Sequence, residues 1–219
     1  TLKLKTDKDN CIILDKIYRK GSNITQTVNG DTTTLSFSNV RYGSNVDFNL
    51  KDDYLISGTI VHRKTKNNMG QSESYQIDQL EFQRIAETGQ AGTSGIAFDT
   101  KSKEYLQVRN YNYSLVDDYG SGSNGISTLT SRGTIIGQPD LADYRYSFDV
   151  NTTTPLKIDE TVLNNYKHSQ KEGVLRIKDS DDQVIEVKQN QPESLKATVY
   201  FNGSEIDDLL WSTIIGDKQ

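Results

Sequence analysis

"NITQTVNGDTTTLSF", residues 23–37, decides the fold class. Apolar and β-branched residues alternate with polar ones on both sides of Asn29-Gly30. Alternation at period two is the pattern of a strand with one wet face. Asn and Gly both tolerate positive φ, so the pair predicts a type I′ turn and a β-hairpin around it.

The same style extends outward. "CIILDKIY" (11–18) reads as one strand before the hairpin, and "NVDFNL" (45–50) and "YLISGTIVHR" (54–63) read as strands after it. "SYQIDQLEFQRIAE" (74–87) fits a strand first, with one helical turn at its end, because Ile77, Leu80 and Ile85 also suit a helix face. "EYLQVRNYNYSLV" and "RGTIIG" continue the β pattern, and "YRYSFDV" (144–150) puts Tyr144, Tyr146, Phe148 and Val150 on one face. "TGQAGTSG" (88–95) and "DDYGSGSNG" (117–125) read as loops, since glycine and serine give a chain little to bury. "NTTTP" (151–155) is the expected domain boundary, because Pro155 holds its predecessor extended.

Beyond it, "GVLRIKDSDDQVIEVKQ" (173–189) predicts two short strands joined by an acidic turn. In "LKATVYFNGSEIDDLLWST", Leu195, Ala197, Val199 and Phe201 face one way, Asn202-Gly203 turns the chain, and Trp211 lies on the following strand. The expectation is an all-β protein: a β-sandwich or barrel-like body over 1–150 and a smaller β module over 156–219.

The C-terminal ~35 of the 219 residues resemble the opening of a bacterial immunoglobulin-like domain of the Big type, with its "LKATV" strand, "NG" turn and "WS" strand. The resemblance implies that Trp211 fills the space between two sheets. A two-stranded hairpin packed on the main body fits the same letters. A sandwich of this kind needs about seven strands, and only Ile214 to Gln219 remain, so the expectation is that the body or another chain completes the sheet, or that the sequence is part of a longer product. The N-terminal stretch 23–65 is similar in style to phage tail and baseplate β modules, which implies a virion setting.

Composition sets limits. Hydrophobic residues make up 33 % of the chain and twelve residues are tyrosine, which suits half-wet sheets. A net charge of −5 opposes a role in wrapping nucleic acid, and "HRKTK" (62–66) is too short a basic run to reverse that. Cys11 is the single cysteine, so no intrachain disulfide forms. No apolar run approaches the ~18–20 residues of a membrane helix.

Chemical motifs are sparse. Gly120, Gly122 and Gly125 match G-x-G-x-x-G, but Asp117 and Asp118 precede them and no helix pattern follows, so a surface loop is the reading. His62 and His168 lack metal-ligand spacing and no nucleophile elbow is present; no catalytic residue, metal or cofactor is expected. "DSDD" (179–182) is the best calcium candidate, but an Asx-stabilised turn explains it better. "RNYNYS" (109–114) interleaves rings with polar residues, so Tyr105, Arg109, Tyr111, Tyr113 and Tyr119 form a candidate glycan surface.

Together these readings lead to a non-catalytic structural protein of a phage virion from a Gram-positive host, in tail, baseplate, collar or head decoration. It is expected to assemble as an oligomer, with copies of itself or other virion proteins, through strand edges and the C-terminal hairpin. Leu195, Val199, Phe201, Leu209, Trp211 and Ile214 are the candidate interface, and removal of 190–219 is expected to abolish assembly with the body still folded. The alternative is a carbohydrate-binding or host-adhesion module of a bacterial cell-surface protein.

Overall fold

The computed structural model describes residues 1–5, 11–13, 16–18, 21–44, 52–68, 70–86, 100–118, 126–139, 144–159, 169–189 and 196–210. All regular structure among them is β, as the alternation predicts. The strands are β1 (Leu2–Lys5), β2 (Cys11–Ile13), β3 (Lys16–Tyr18), β4 (Asn23–Asn29), β5 (Thr32–Ser44), β6 (Asp52–Asn67), β7 (Gly70–Ala86), β8 (Thr100–Asp118), β9 (Ile126–Gln138), β10 (Tyr146–Asp159), β11 (Ser169–Asp179), β12 (Val184–Lys188), β13 (Lys196–Phe201) and β14 (Ser204–Leu210). They join one hydrogen-bonded sheet in which β1 lies beside β4 and every strand from β4 to β14 lies beside the next in sequence. A β2–β3 pair attaches through β3 to β5.

Three local expectations change. Residues 11–18 hold two antiparallel strands, pairing Cys11 with Tyr18 and Ile13 with Lys16, rather than one. The strand over 74–87 runs to Ala86, with no helical turn among the described residues. Asn29 pairs with Thr32, so the first hairpin turns on Gly30-Asp31, one residue later than the Asn-Gly pair suggests. Gly30 has φ +56 and neither Asn29 nor Asp31 is positive, which is the signature of a type II′ turn with glycine in its first central position. The cross-strand register of Thr27 to Thr34 and Val28 to Thr33 sets the turn, and the local dipeptide yields to it.

The chain forms two compact units. The first takes Thr1–Val61, Ile77–Arg109 and Ile135–Tyr146; the second takes His62–Gln76, Asn110–Thr134 and Ser147–Gln219. The stretch 151–155 lies within β10 in the second unit.

In the first unit Val40 and Leu80 are buried. Buried Ser22 accepts the Arg41 backbone N–H at 2.9 Å and donates to the Arg41 carbonyl at 3.2 Å, which ties the start of β4 to β5. Glu81 Oε1 gathers three donors: Gln79 Nε2 at 2.7 Å, the Tyr105 hydroxyl at 3.4 Å, and Nε2 of Gln107, which is 1 % exposed.

The second unit holds the clearest apolar core. Leu156, Val187, Ala197 and Val199 are buried together, with Leu129 and Leu175 packed against them. Register explains the cluster. Leu175 lies opposite Val187, and Val187 opposite Val199, so the side chains that alternation turns inward form one cross-strand row. The turn over Asp179–Gln183 is held by Asp179 Oδ1, which accepts the backbone N–H of Asp181 at 2.9 Å and of Gln183 at 2.8 Å. The Asx reading of "DSDD" is therefore shown directly.

Candidate functional site

The C-terminal hairpin is built as its sequence predicts. Phe201 pairs with Ser204, leaving Asn202-Gly203 as a two-residue loop with φ +48 and +83, the type I′ geometry. The Asn202 backbone N–H donates to the Val184 carbonyl at 2.8 Å, and its side-chain Oδ1 accepts the Val184 N–H at 2.8 Å. The turn is thus clamped to the neighbouring strand and fixes the direction of β14.

β14 itself ends the strand order. All seven of its residues are exposed, and among the described residues no strand lies along its outer edge. The pairing of Val199 with Asp207 and of Tyr200 with Glu205 leaves Ile206 as an extra residue, a β-bulge. Ile206 is 60 % exposed and Leu210 47 %. Glu205, Asp207 and Asp208 put carboxylates among these apolar side chains.

The candidate interface residues divide by burial. Val199 lies in the core and supports the hairpin from within. Phe201 and Leu209 are partly exposed at the edge of the same face, Leu209 opposite fully buried Ala197. Leu195, Trp211 and Ile214 lie outside the described residues.

The candidate glycan residues also divide. Tyr105 and Arg109 belong to the first unit, Tyr111 and Tyr113 to the second, and Tyr119 lies outside the described residues. Burial, then the Glu81 carboxylate, pushes the Tyr105 hydroxyl up, against the pull of Arg109 and Arg145. Tyr111 accepts a hydrogen bond from buried Ser131 Oγ at 3.0 Å, and its ring lies so close over Gly133 that a Cβ there would meet it at 2.7 Å. Tyr113 is tilted against Tyr75 with ring centroids 6.0 Å apart, and burial raises its hydroxyl pKa. These two rings make cross-strand contacts within their own sheet.

Two polar clusters of the second unit escape sequence reasoning. Glu73 Oε1 accepts the Tyr75 hydroxyl at 2.7 Å and lies 2.9 Å from His62 Nε2; the imidazole stacks on Tyr75 with centroids 4.5 Å apart. The Tyr75 bond, then the His62 contact, holds the Glu73 carboxyl below its ordinary range, although burial opposes them. The same bond pushes the Tyr75 hydroxyl up. His62, which the sequence places in the strand over 54–63, is thus part of a side-chain network. Asp117, expected at the start of a flexible loop, is 6 % exposed and accepts from Gln71 Nε2 at 2.6 Å and Ser127 Oγ at 2.7 Å. Residues that meet across two or three neighbouring strands leave no local motif, so only the register, unknown from sequence, reveals them.

In both clusters the acid is hydrogen-bonded within its own sheet. Among the described residues no three His, Cys, Asp or Glu are grouped to hold a metal, and no helix is long and apolar enough to cross a membrane. Compared with known proteins, the chain matches no family model, no curated protein and no solved structure.

Proposed function

We propose that this chain is a non-catalytic assembly protein, in the phage virion setting its sequence style implies, and that β14 is its docking edge. One observation carries the reading: among the described residues β14 closes the strand order, and it shows seven exposed residues, Ile206 and Leu210 among them. An edge strand of this kind offers a row of N–H and C=O groups to a further strand, and its exposed side chains supply the area. The carboxylates of β14 select the partner. Antiparallel pairing of β14 with another β14 sets Asp207 or Asp208 against like charges, which is unfavourable. A strand bearing Lys or Arg, from another virion protein or from a different edge of a second copy, suits it.

Deleting 190–219 removes Ala197 and Val199 from the core as well as the edge, so it tests folding and docking together. The sharper experiment is the double substitution Ile206→Lys and Leu210→Lys, read by light scattering after size-exclusion chromatography and by incorporation into particles. Both side chains are exposed, so the variant keeps the wild-type unfolding midpoint and fails to assemble. Assembly undiminished by the two lysines refutes the docking role of β14.

A further inference from the structure

The first unit carries a groove of about 420 Å³ that the assembly reading does not use. Tyr54, Phe82, Tyr105 and Tyr146 supply its rings, with Arg84, Glu104 and Gln138 as its polar groups. We propose that this groove binds a neutral oligosaccharide.

The volume falls within the ~300–1,000 Å³ typical of small-ligand clefts. Its chemistry is that of sugar recognition. A pyranose offers a face of C–H bonds to an aromatic ring and a rim of hydroxyls, each both donor and acceptor. Tyr146 is held for the first role. The tip of its ring lies against Gly137, and any Cβ there would collide with the Tyr146 Cζ and hydroxyl, so the side chain is seated against the strand before a ligand arrives. Such seating lowers the entropy lost on binding.

The polar groups serve the second role, and they are fixed by one another. Arg84 Nη1 donates to Glu104 Oε2 at 3.0 Å, Gln83 Nε2 donates to the Glu104 carbonyl at 2.9 Å, and Arg145 Nε donates to Gln138 Oε1 at 3.1 Å. Arg145 also lies over the Tyr105 ring, 5.8 Å from its centroid. The Arg84 and Glu104 side chains remain 24 % and 39 % exposed, so the pair meets solvent as a planar donor and acceptor side by side. That arrangement matches vicinal hydroxyls. The ion pair is internally neutral and the whole chain carries −5, so a neutral sugar fits and an acidic one is repelled. A proline-rich peptide also favours aromatic grooves, but its carbonyls need donors only and make no use of the Glu104 carboxylate as an acceptor.

The test titrates the full-length protein with cellohexaose, maltohexaose, xylohexaose and chitohexaose, and with a proline-rich decapeptide, by calorimetry and saturation-transfer NMR. At least one hexasaccharide is expected to saturate below about 1 mM. Tyr146→Ala is expected to weaken it at least tenfold and Glu104→Gln at least threefold, the latter with the fold undisturbed. Tyr75→Phe, in the other unit, leaves the affinity unchanged. Absence of saturation by all four sugars, saturation by the peptide alone, or binding indifferent to Glu104→Gln overturns the proposal. The assembly reading fails separately, because Ile206→Lys with Leu210→Lys touches no groove residue and is expected to leave sugar binding intact.

Discussion

At the scale of the residue, polar side chains do much of the work that apolar ones do in richer cores. Removing the Glu81 carboxylate strands Gln107 Nε2 in a buried site, and an orphaned buried donor costs ~1–3 kcal/mol. Glu81→Ala is therefore expected to lower stability by about 2 kcal/mol in urea unfolding, and Glu81→Gln, which keeps an acceptor, by less than half of that. Equal losses for the two variants contradict the hydrogen-bond account. Glu73 makes a pH-dependent case. Its carboxyl is held below the ordinary value of 4.5, chiefly by the Tyr75 hydroxyl. Its ionised form thus stabilises the fold fully above pH 4.5, and that contribution is lost as pH falls through the lower folded value. Tyr75 behaves in the opposite sense: raised above 10.0, it contributes below that pH and the contribution fades in stronger base. The difference in unfolding free energy between wild type and Glu73→Gln is expected to shrink on acidification below pH 4.5; a constant difference removes the linkage. None of these partnerships is legible in sequence. Asp117 sits beside a Gly-Ser run and looks solvated, yet its burial depends on Gln71 and Ser127 arriving from other strands.

Elements are where sequence reading succeeds most, because alternation and turn chemistry are local. The acidic loop at 179–183 and the Asn202-Gly203 turn occupy the places their letters assign. Where reading slips, tertiary register has overruled a local preference, as in the move of the first hairpin from Asn29-Gly30 to Gly30-Asp31. The two turns give a direct comparison. At Gly203, φ +83 is reached beside an Asn already in the left-handed region. Gly203→Val places a β-branched side chain there, and the left-handed cost of roughly 1–2 kcal/mol per residue applies, with more for branching. The variant is expected to unfold at least 1 kcal/mol more easily. It is also expected to lose the bond between Asn202 Oδ1 and the Val184 N–H, seen as faster hydrogen exchange at Val184. Protection at Val184 unchanged by the substitution means that β12 holds its end without the turn. The groove was half legible: Tyr105 was singled out for its ring, whereas Tyr54, Phe82 and Tyr146 come from strands far apart in sequence and no spacing links them.

For the whole molecule, the decisive fact is a strand order that, among the described residues, ends at β1 and β14. Sheets that do not close must keep their terminal strands from indiscriminate pairing, and charges on the edge are a common means. In the proposed docking role, the exposed apolar side chains of β14 favour pairing and its three carboxylates penalise the wrong partner. The balance can be shifted by neutralising the charges and keeping shape. Asp207→Asn with Asp208→Asn removes two carboxylates from exposed positions, and the amide oxygen then at position 207 can still accept the backbone N–H of residue 208, so the fold is expected to survive. Self-pairing of β14 loses its like-charge penalty, worth up to about 1 kcal/mol per facing pair. Sedimentation velocity is therefore expected to show the double variant forming dimers and larger species at concentrations where the wild type does not pair edge to edge. Salt separates the two modes. Screening over ~8 Å at physiological ionic strength weakens attraction between acidic β14 and a basic partner strand, and at the same time relieves repulsion between two copies of β14. Wild-type assembly with its partner is expected to decline between 0.05 and about 0.5 M NaCl, whereas self-association of the neutralised variant stays level. Wild-type assembly that strengthens with salt instead identifies the docking surface as apolar area alone, and the carboxylates of β14 then have no part in choosing its partner.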